Sequence, residues 1–367
     1  MSQEDFTLSI NIQVERPNVI WRQVAEQMRE KILSGDLPPG TKLPSTAALA
    51  QQSGTDVKTV HRALTDLVKE GLITRTRKVG TYVTDRHTEL TRIGIYHASD
   101  ILAKQSSLFL QALHSELHKL AHKKNISTRV FVDQRPTARQ TTAWPELEKA
   151  ARDKEIQGVV SSIADLHHLP WLKKIKVPVA FMGGHEPGSV FWDHEAFVDL
   201  SFRAAKERGC REIAIITPFR PSYTQFLKTV HEKAQAYDCL VKPEWIIRPE
   251  EDAVLSDNEY EKYGYEAFQQ LWSLKEKPKA VIAYPDLLTR GVLLGIMERQ
   301  VRVPEDLLPI FHRNEGIDYF CPLPVLYIQS QVSLCAKALL NKLSLAFHGK
   351  TPSPEILGFS VDDSELK

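Results

Sequence analysis

From Arg92 onward, short apolar runs alternate with longer amphipathic stretches for more than 250 residues, and no other feature restricts the fold as strongly. The strand-like runs are RIGIYH, TRVFVD, QGVVSS, VPVAFMG, EIAIIT, KAVIAY, LLPIF and PVLYI. Helical spacing occupies 106–124, 194–208, 222–237, 260–274, 286–299 and 331–348. Alternation of this kind builds parallel sheets covered by helices. In such sheets a ligand sits beyond the carboxyl ends of the strands. Those ends carry His97–Asp100, Ser161–Ser162, Gly183–Gly184, Asp193, Thr217–Arg220, Asp286 and His312–Asn314. Neither a GxGxxG turn nor a P-loop follows any of the runs, so the usual nucleotide fingerprints are missing.

The first 84 residues read differently. From Pro17, apolar residues Val19, Ile20, Val24, Met28, Ile32 and Leu33 recur at helical steps until SGDLPPG stops them. Ser45 can N-cap a short second helix that ends at Gly54. Thr55 or Asp56 can cap a third helix, with Val57, Val60, Leu64, Leu67 and Val68 on one stripe and Lys58, Thr59, Arg62, Asp66 and Lys69 opposite. After Gly71, LITRT and GTYVT alternate like two strands around Arg77–Gly80.

Three helices and a hairpin in this order predict a winged helix-turn-helix. Its third helix presents Lys58, Thr59 and Arg62 to base edges, and its N-terminus offers N–H groups to a phosphate. Arg75, Arg77 and Lys78 arm the wing, and Gly80 lets the tip approach a sugar-phosphate backbone. His61 lies at the edge of the apolar stripe and suits either packing or phosphate contact.

The whole chain of 367 residues has a net charge of +1, so any nucleic-acid footprint must be local. Its 42% hydrophobic and 25% charged residues describe an ordinary globular protein. Cys210, Cys239, Cys321 and Cys335 lie far apart without metal-ligand spacing and read as free thiols of a reducing compartment. No secretory signal or apolar run of the ~20 residues of a membrane span is visible, and the expectation is a cytoplasmic protein without membrane contact.

Residues 17–84 resemble the DNA-binding domain of the GntR family of bacterial regulators. The resemblance rests on WRQVAEQMREKILSGDLPPGTKLPS, ALAQQSG, KTVHRAL, EGLI and GTYV. Val57 and Ala47 stand where that family often has arginines that read guanines, which implies a different operator, with Val57 against a thymine methyl.

Roughly 92–360 is similar to the periplasmic-binding-protein-like sensor of the LacI family, on KPKAVIAYPDLLTRGVLLGIMERQVRVPEDL and VFWDHEAFVDLSFRAAKERGCREIAIIT. The resemblance implies a two-lobed domain whose cleft aspartates, Asp193 and Asp286 here, accept hydrogen bonds from sugar hydroxyls. Pro285 replaces that family's Asn, and Arg220 is a displaced candidate for its cleft arginine, which aligns near Ser222. His97 and the aromatics Phe109, Trp192 and Tyr284 complete the candidate effector set. Four have a plainer alternative: Asp193 and Asp286 as structural carboxylates, Asp286 as the cap of a helix beginning at Leu287, and Phe109 and Trp192 as core. A GntR head on a LacI-like sensor is the pairing of the arabinose-repressor subfamily.

His114, His118 and His122 align on one helical side, but no carboxylate or cysteine completes a ligand set, so a partly exposed row is expected and no metal. With no GxSxG, HExxH or cofactor lysine, no catalytic residue and no cofactor are expected.

The chain therefore reads as an α/β protein: a winged helix-turn-helix (1–84), a linker (85–91) and a two-lobed parallel-sheet domain (92–367). Its expected partners are double-stranded operator DNA, a small-molecule effector of which a sugar is one class, and a second copy in a homodimer. Two alternatives stay open: a second domain that binds a non-sugar ligand or only dimerises, and an enzyme carrying a regulatory head.

Overall fold

The computed structural model describes residues 20–76, 79–84, 89–101, 107–135, 139–162, 170–219, 224–250, 259–317 and 320–364. The chain divides between Leu90 and Thr91 into two compact units. The first holds α1 (Ile20–Leu33), β1 (Lys42–Leu43), α2 (Thr46–Gln52), α3 (Val57–Lys69), β2 (Ile73–Thr76) and β3 (Gly80–Val83). Val24, Ala25 and Met28 of α1 meet Leu49 of α2 and Val60, Ala63, Leu64 and Leu67 of α3 in one core, with Leu72, Ile73 and Val83 beneath. The strands run β1-β3-β2, antiparallel, with Thr76 opposite Gly80 at the hairpin and Lys42 opposite Tyr82.

Two details differ from the helical-wheel reading. Val57 and Val68 are 51% and 38% exposed, and Ala63 takes their place in the core. Positions 60, 63, 64 and 67 already complete the arc that faces α1 and α2, so Val57 overhangs at the first turn and Val68 falls on the outer flank. The third strand, β1, was not anticipated; two residues are too short to show a period.

The second unit begins with β4 (Arg92–His97), α4 (Leu108–Lys123), β5 (Ser127–Val132), α5 (Pro145–Arg152), β6 (Gly158–Ser161), β7 (Val179–Met182) and β8 (Ser189–Trp192). It continues with α6 (His194–Glu207), β9 (Ile213–Ile216), α7 (Thr224–Ala236), β10 (Ile246–Ile247), α8 (Tyr260–Ser273), β11 (Ala280–Ala283), α9 (Thr289–Glu298), β12 (Leu308–Asn314) and β13 (Leu326–Ser330). α10 (Val332–Phe347), β14 (Glu355–Leu357) and β15 (Phe359–Asp362) complete it. All eight expected strand runs and all six helical stretches carry elements; β8, β10, β14, β15 and α5 are additional.

These strands form two six-stranded sheets, β14-β8-β7-β6-β4-β5 and β10-β9-β11-β12-β13-β15. Every pairing in them is parallel except that of β15 with β13. The second sheet shows why its strands are continuously apolar. Ile213 and Ile215 of β9 face α6 and α7, in a cluster with Phe197, Phe202 and Phe226. Ala214 and Ile216 face α8 and α9, in a cluster with Phe268, Leu271 and Ile296. Both faces are covered, so neither can be polar.

The chain passes between the sheets three times, from β8 to α6 at Asp193, from β13 to α10 at Gln331, and from β14 to β15 at Gly358. The Asp193 N–H donates to Leu357 O at 2.9 Å, joining two of these passages. Among the described residues, no helix is long and apolar enough to cross a membrane.

The approach of α8 to α9 depends on glycine. A Cβ on Gly291 would lie 1.8 Å from Glu261 O and 2.7 Å from Tyr265 N, and one on Gly264 would lie 2.3 Å from Leu288 O. Those atoms are backbone, so a methyl group must push the helices apart. Gly291→Ala is expected to destabilise the second unit by about 1–3 kcal/mol or more, read as a lower urea midpoint. An unchanged midpoint would disprove the packing argument.

Candidate nucleic-acid interface and effector cleft

The reading end of the first unit is built from two helix caps. Ser45 Oγ accepts the Ala48 N–H at 3.1 Å and starts α2. Asp56 starts α3 by accepting the Thr59 N–H at 2.9 Å and the Thr59 hydroxyl at 2.6 Å. These Thr59 bonds hold the Asp56 carboxyl below its ordinary range. The start of α3 thus already carries an anion. That corrects the expectation of a phosphate seat there, and it commits the Thr59 hydroxyl to the cap.

Lys58, His61 and Arg62 are exposed on the following turn, and Val57 stands beside them. The Arg62 guanidinium lies over the Trp21 ring at 4.4 Å. Among the described residues neither the Lys58 nor the Arg62 side chain makes a hydrogen bond or ion pair. Arg29, by contrast, is neutralised by Glu26 and Glu70, with Nε 2.8 Å from Glu70 Oε2. The His61 ring is outside the core, near Thr65 Oγ1 at 3.5 Å.

On the hairpin, Arg75 Nη2 donates to Thr46 Oγ1 at 3.1 Å, so a basic side chain of the wing is braced on α2. Gly80 has φ +138°, and a Cβ there would lie 3.1 Å from Lys42 Cε. Its lack of a side chain therefore serves the sheet itself as well as any close approach. Arg77 and Lys78 lie outside the described residues. Lys42, over the Tyr82 ring at 5.9 Å, adds a basic group that the sequence reading missed, because β1 was not anticipated.

In the second unit the strand ends bring the remaining candidates onto an aromatic wall. Phe109 and Trp192 meet edge to face with centroids 6.4 Å apart, and Trp192 packs on Phe359 at 5.5 Å. Phe359 reaches His312 at 5.7 Å and Tyr284 at 6.4 Å. Tyr284 is buried, 4.4 Å from Phe197 and 5.4 Å from His194. Phe197, His194, Phe219 and Phe359 were not named from sequence. His194 and Phe219 lie next to, or within, named strand-end segments, whereas Phe359 belongs to a final four-residue strand that alternates with polar residues and lies outside the apolar runs.

The polar candidates are largely satisfied from within. Asp193 Oδ1 accepts the Ala196 N–H at 2.9 Å and caps α6. The Asp286 carboxylate does not cap α9; the bond there runs from Thr289 Oγ1 to Asp286 O. The Asp286 N–H donates to His312 Nδ1 at 3.0 Å, so the neutral ring carries its proton on Nε2, which faces Ser330 Oγ at 3.3 Å. Ser330 Oγ in turn donates to Asn314 Oδ1. Asp286, His312 and Ser330 follow the order of a nucleophile triad, but the carboxylate finds no proton on Nδ1 and Ser330 is fully buried.

His97 is fully buried, with Nδ1 2.7 Å from Ser162 Oγ and Nε2 3.0 Å from His114 Nδ1. Both ring nitrogens are engaged within the lobe. His118 instead bonds Thr128 Oγ1 at 2.8 Å, so the row of helical histidines divides between partners. Among the described residues, no cluster of three or more His, Cys, Asp or Glu is placed to hold a metal ion. Arg220 lies outside the described residues.

Residues 21–83 match the gntR family of bacterial regulatory proteins, and residues 202–357 match the periplasmic-binding-protein-like domain. The chain joins a GntR-type helix-turn-helix head to a periplasmic-binding-protein-like domain. Over 86 residues this chain is 37% identical to the HTH-type transcriptional repressor NagR of Bacillus subtilis, covering 23% of this chain and 35% of NagR. Over 178 residues it is 29% identical to the HTH-type transcriptional repressor PurR of Glaesserella parasuis, covering 44% of this chain and 48% of PurR. The chain thus spans about a third to a half of the length of these relatives.

Among solved structures, a LacI-family regulatory protein from Chloroflexus aggregans aligns with a TM-score of 0.61 at 19% identity, over 74% of this chain and 96% of that one. The lac repressor dimer bound to operator and the anti-inducer ONPF aligns with a TM-score of 0.57 at 16% identity, over 74% and 92%. At such identities the likeness shows the fold of the periplasmic-binding-protein-like domain.

Burial pushes His97 and His194 down from 6.5 to about 4, with a smaller push from His114 on His97 and from His312 on His194. Unfolded histidine takes a proton near pH 6.5, whereas these buried rings refuse one until about pH 4. Stability is therefore whole above pH 6.5 and falls between 6.5 and 4, by about 1.4 kcal/mol per pH unit per ring. Urea unfolding across that range should show the fall, reduced in His97→Gln; a pH-independent midpoint would contradict the burial.

Proposed function

We propose that this protein is a DNA-binding transcriptional regulator, acting as a repressor, whose operator affinity responds to a small molecule in the cleft of its second domain. The observation that carries the reading is the uncompensated charge of Lys58 and Arg62 on the exposed edge of α3, together with the wing residue Arg75 braced on α2. Exposed cations without carboxylate partners on a recognition helix suit phosphate and base-edge contacts. NagR and PurR, both named as repressors, support the sign of regulation.

Two heads on two half-sites about one turn (~34–36 Å) or a multiple apart call for a homodimer. The lac repressor dimer, similar in fold, supports that assembly. Such a regulator works in the cytoplasm. An effector that favours one state of the sensor by ~1–3 kcal/mol would change operator affinity ~5–150-fold.

A second reading keeps the DNA binding and replaces the sugar by a non-carbohydrate ligand, or by dimerisation alone. It is favoured by Pro285 beside Asp286 and by the engagement of Asp193 and His97 in internal hydrogen bonds. Thermal melts with pentoses, hexoses and phosphorylated sugars separate the two, since a hundredfold excess over Kd stabilises by about 2.7 kcal/mol.

Selection from random duplex DNA, followed by titration of the recovered sequence, tests the function itself. Lys58→Ala/Arg62→Ala is expected to lose at least tenfold in affinity and to flatten the dependence on log salt by about one unit per phosphate contact removed. Undiminished binding by that variant would refute the assignment of α3 as the reading element.

A further inference from the structure

We infer that Trp21 is a positioning residue for DNA recognition, holding the Arg62 guanidinium by its face so that its edge is free for the duplex. This inference rests on the DNA-binding reading and deepens it. Trp21 belongs to the first turn of α1, half-buried against the core of the head. Arg62 lies one turn into α3, with its guanidinium carbon 4.4 Å from the centre of the indole ring. Arg22 approaches the same ring at 5.4 Å. Two cations thus gather around one indole ring, and among the described residues neither side chain has a carboxylate partner.

The choice of partner matters because of guanidinium geometry. A carboxylate binds the in-plane N–H groups and uses the edge that would otherwise meet a base or phosphate. Arg29 shows that outcome on the same two helices, with its edge on Glu70 and Glu26. An indole binds the flat face instead and leaves the N–H groups pointing outward. Stacking also confines a long side chain before DNA arrives, which lowers the ordering cost of the contact. Lys58, one turn earlier on the exposed edge, has no aromatic platform among the described contacts, so the two basic residues differ in how far they are pre-ordered.

The experiment is a double-mutant cycle on the full chain, titrated with a duplex that the chain itself recovers from random-sequence DNA. Trp21→Leu keeps apolar packing but removes the quadrupole, and is expected to weaken binding about two- to fivefold. In an Arg62→Ala background the same change is expected to do nothing further, because there is no guanidinium left to hold. Trp21→Phe should restore part of the loss, and Arg62→Lys, which keeps a cation but not the planar guanidinium, should lose affinity and respond less to residue 21. Should Trp21→Leu fail to fold, Trp21→Phe and Arg62→Lys carry the same cycle.

A purely structural Trp21 would give losses that add to those of Arg62→Ala, and that result, or no loss from Trp21→Leu, overturns the inference. Failure of the unsubstituted chain to bind any recovered duplex would instead overturn the DNA-binding reading and this inference with it.

Discussion

The three passages of the chain between the two large sheets are the constraint from which the second domain takes its form. Asp193, Gln331 and Gly358 mark them, and the Asp193 N–H to Leu357 O bond ties two together. Because all the strands meeting there except β15 are parallel, their carboxyl ends collect on one side, and with them the residues that the intervening turns expose. Trp192, His194, Tyr284, His312 and Phe359 become neighbours although they are spread over almost half the chain. A sheet buried on both faces has little other place for polar groups, so its chemistry gathers at these ends.

The head follows a different logic, in which charge decides. Its core is small and apolar, and its surface carries several arginines. What distinguishes them is the partner each has found. Arg29 is quenched by two carboxylates, Arg75 is braced by a hydroxyl that leaves its charge intact, and Arg62 rests on an indole. A neutral brace fixes position without cancelling the field, which is the requirement for a group meant to meet an anion.

Much of this was legible in the residues. The alternation after Arg92 predicted every one of its eight runs, because buried parallel strands are continuously apolar and need no partner sequence to be recognised. The three helices of the head were legible for the opposite reason, a strong helical period bounded by Ser45, Asp56 and Gly71. What escaped was short or relational. β1, β10 and β14 have two or three residues, too few to express a period, and α5 is a charged eight-residue helix burying only Leu147, Ala150 and Ala151. Val57 and Val68 sat on the right stripe but beyond the reach of the core. The commitment of Thr59 to Asp56, and of Arg62 to Trp21, depends on rotamers and on a helix forty residues away, which no local pattern encodes.

The candidate effector residues show the same limit in sharper form. A carboxylate at a strand end is legible in sequence as polar chemistry in an unusual place, yet its availability is set by neighbours. Asp193 gives one oxygen to the first turn of α6, and Asp286 uses its backbone to set the tautomer of His312. His97 has no free ring nitrogen, so it orders Ser162 and His114 more readily than it meets a ligand. A molecule entering between these groups must therefore either exchange hydrogen bonds with partners already well placed or bind first through the aromatic wall. The second route costs less desolvation, since Trp192, Tyr284 and Phe359 carry no charge to strip, with Trp192 and Tyr284 themselves already buried in the wall. Beside that wall the polar acceptors are the second Asp193 oxygen and the Asp286 carboxylate, whose neighbours are the first turn of α6 and the His312 ring.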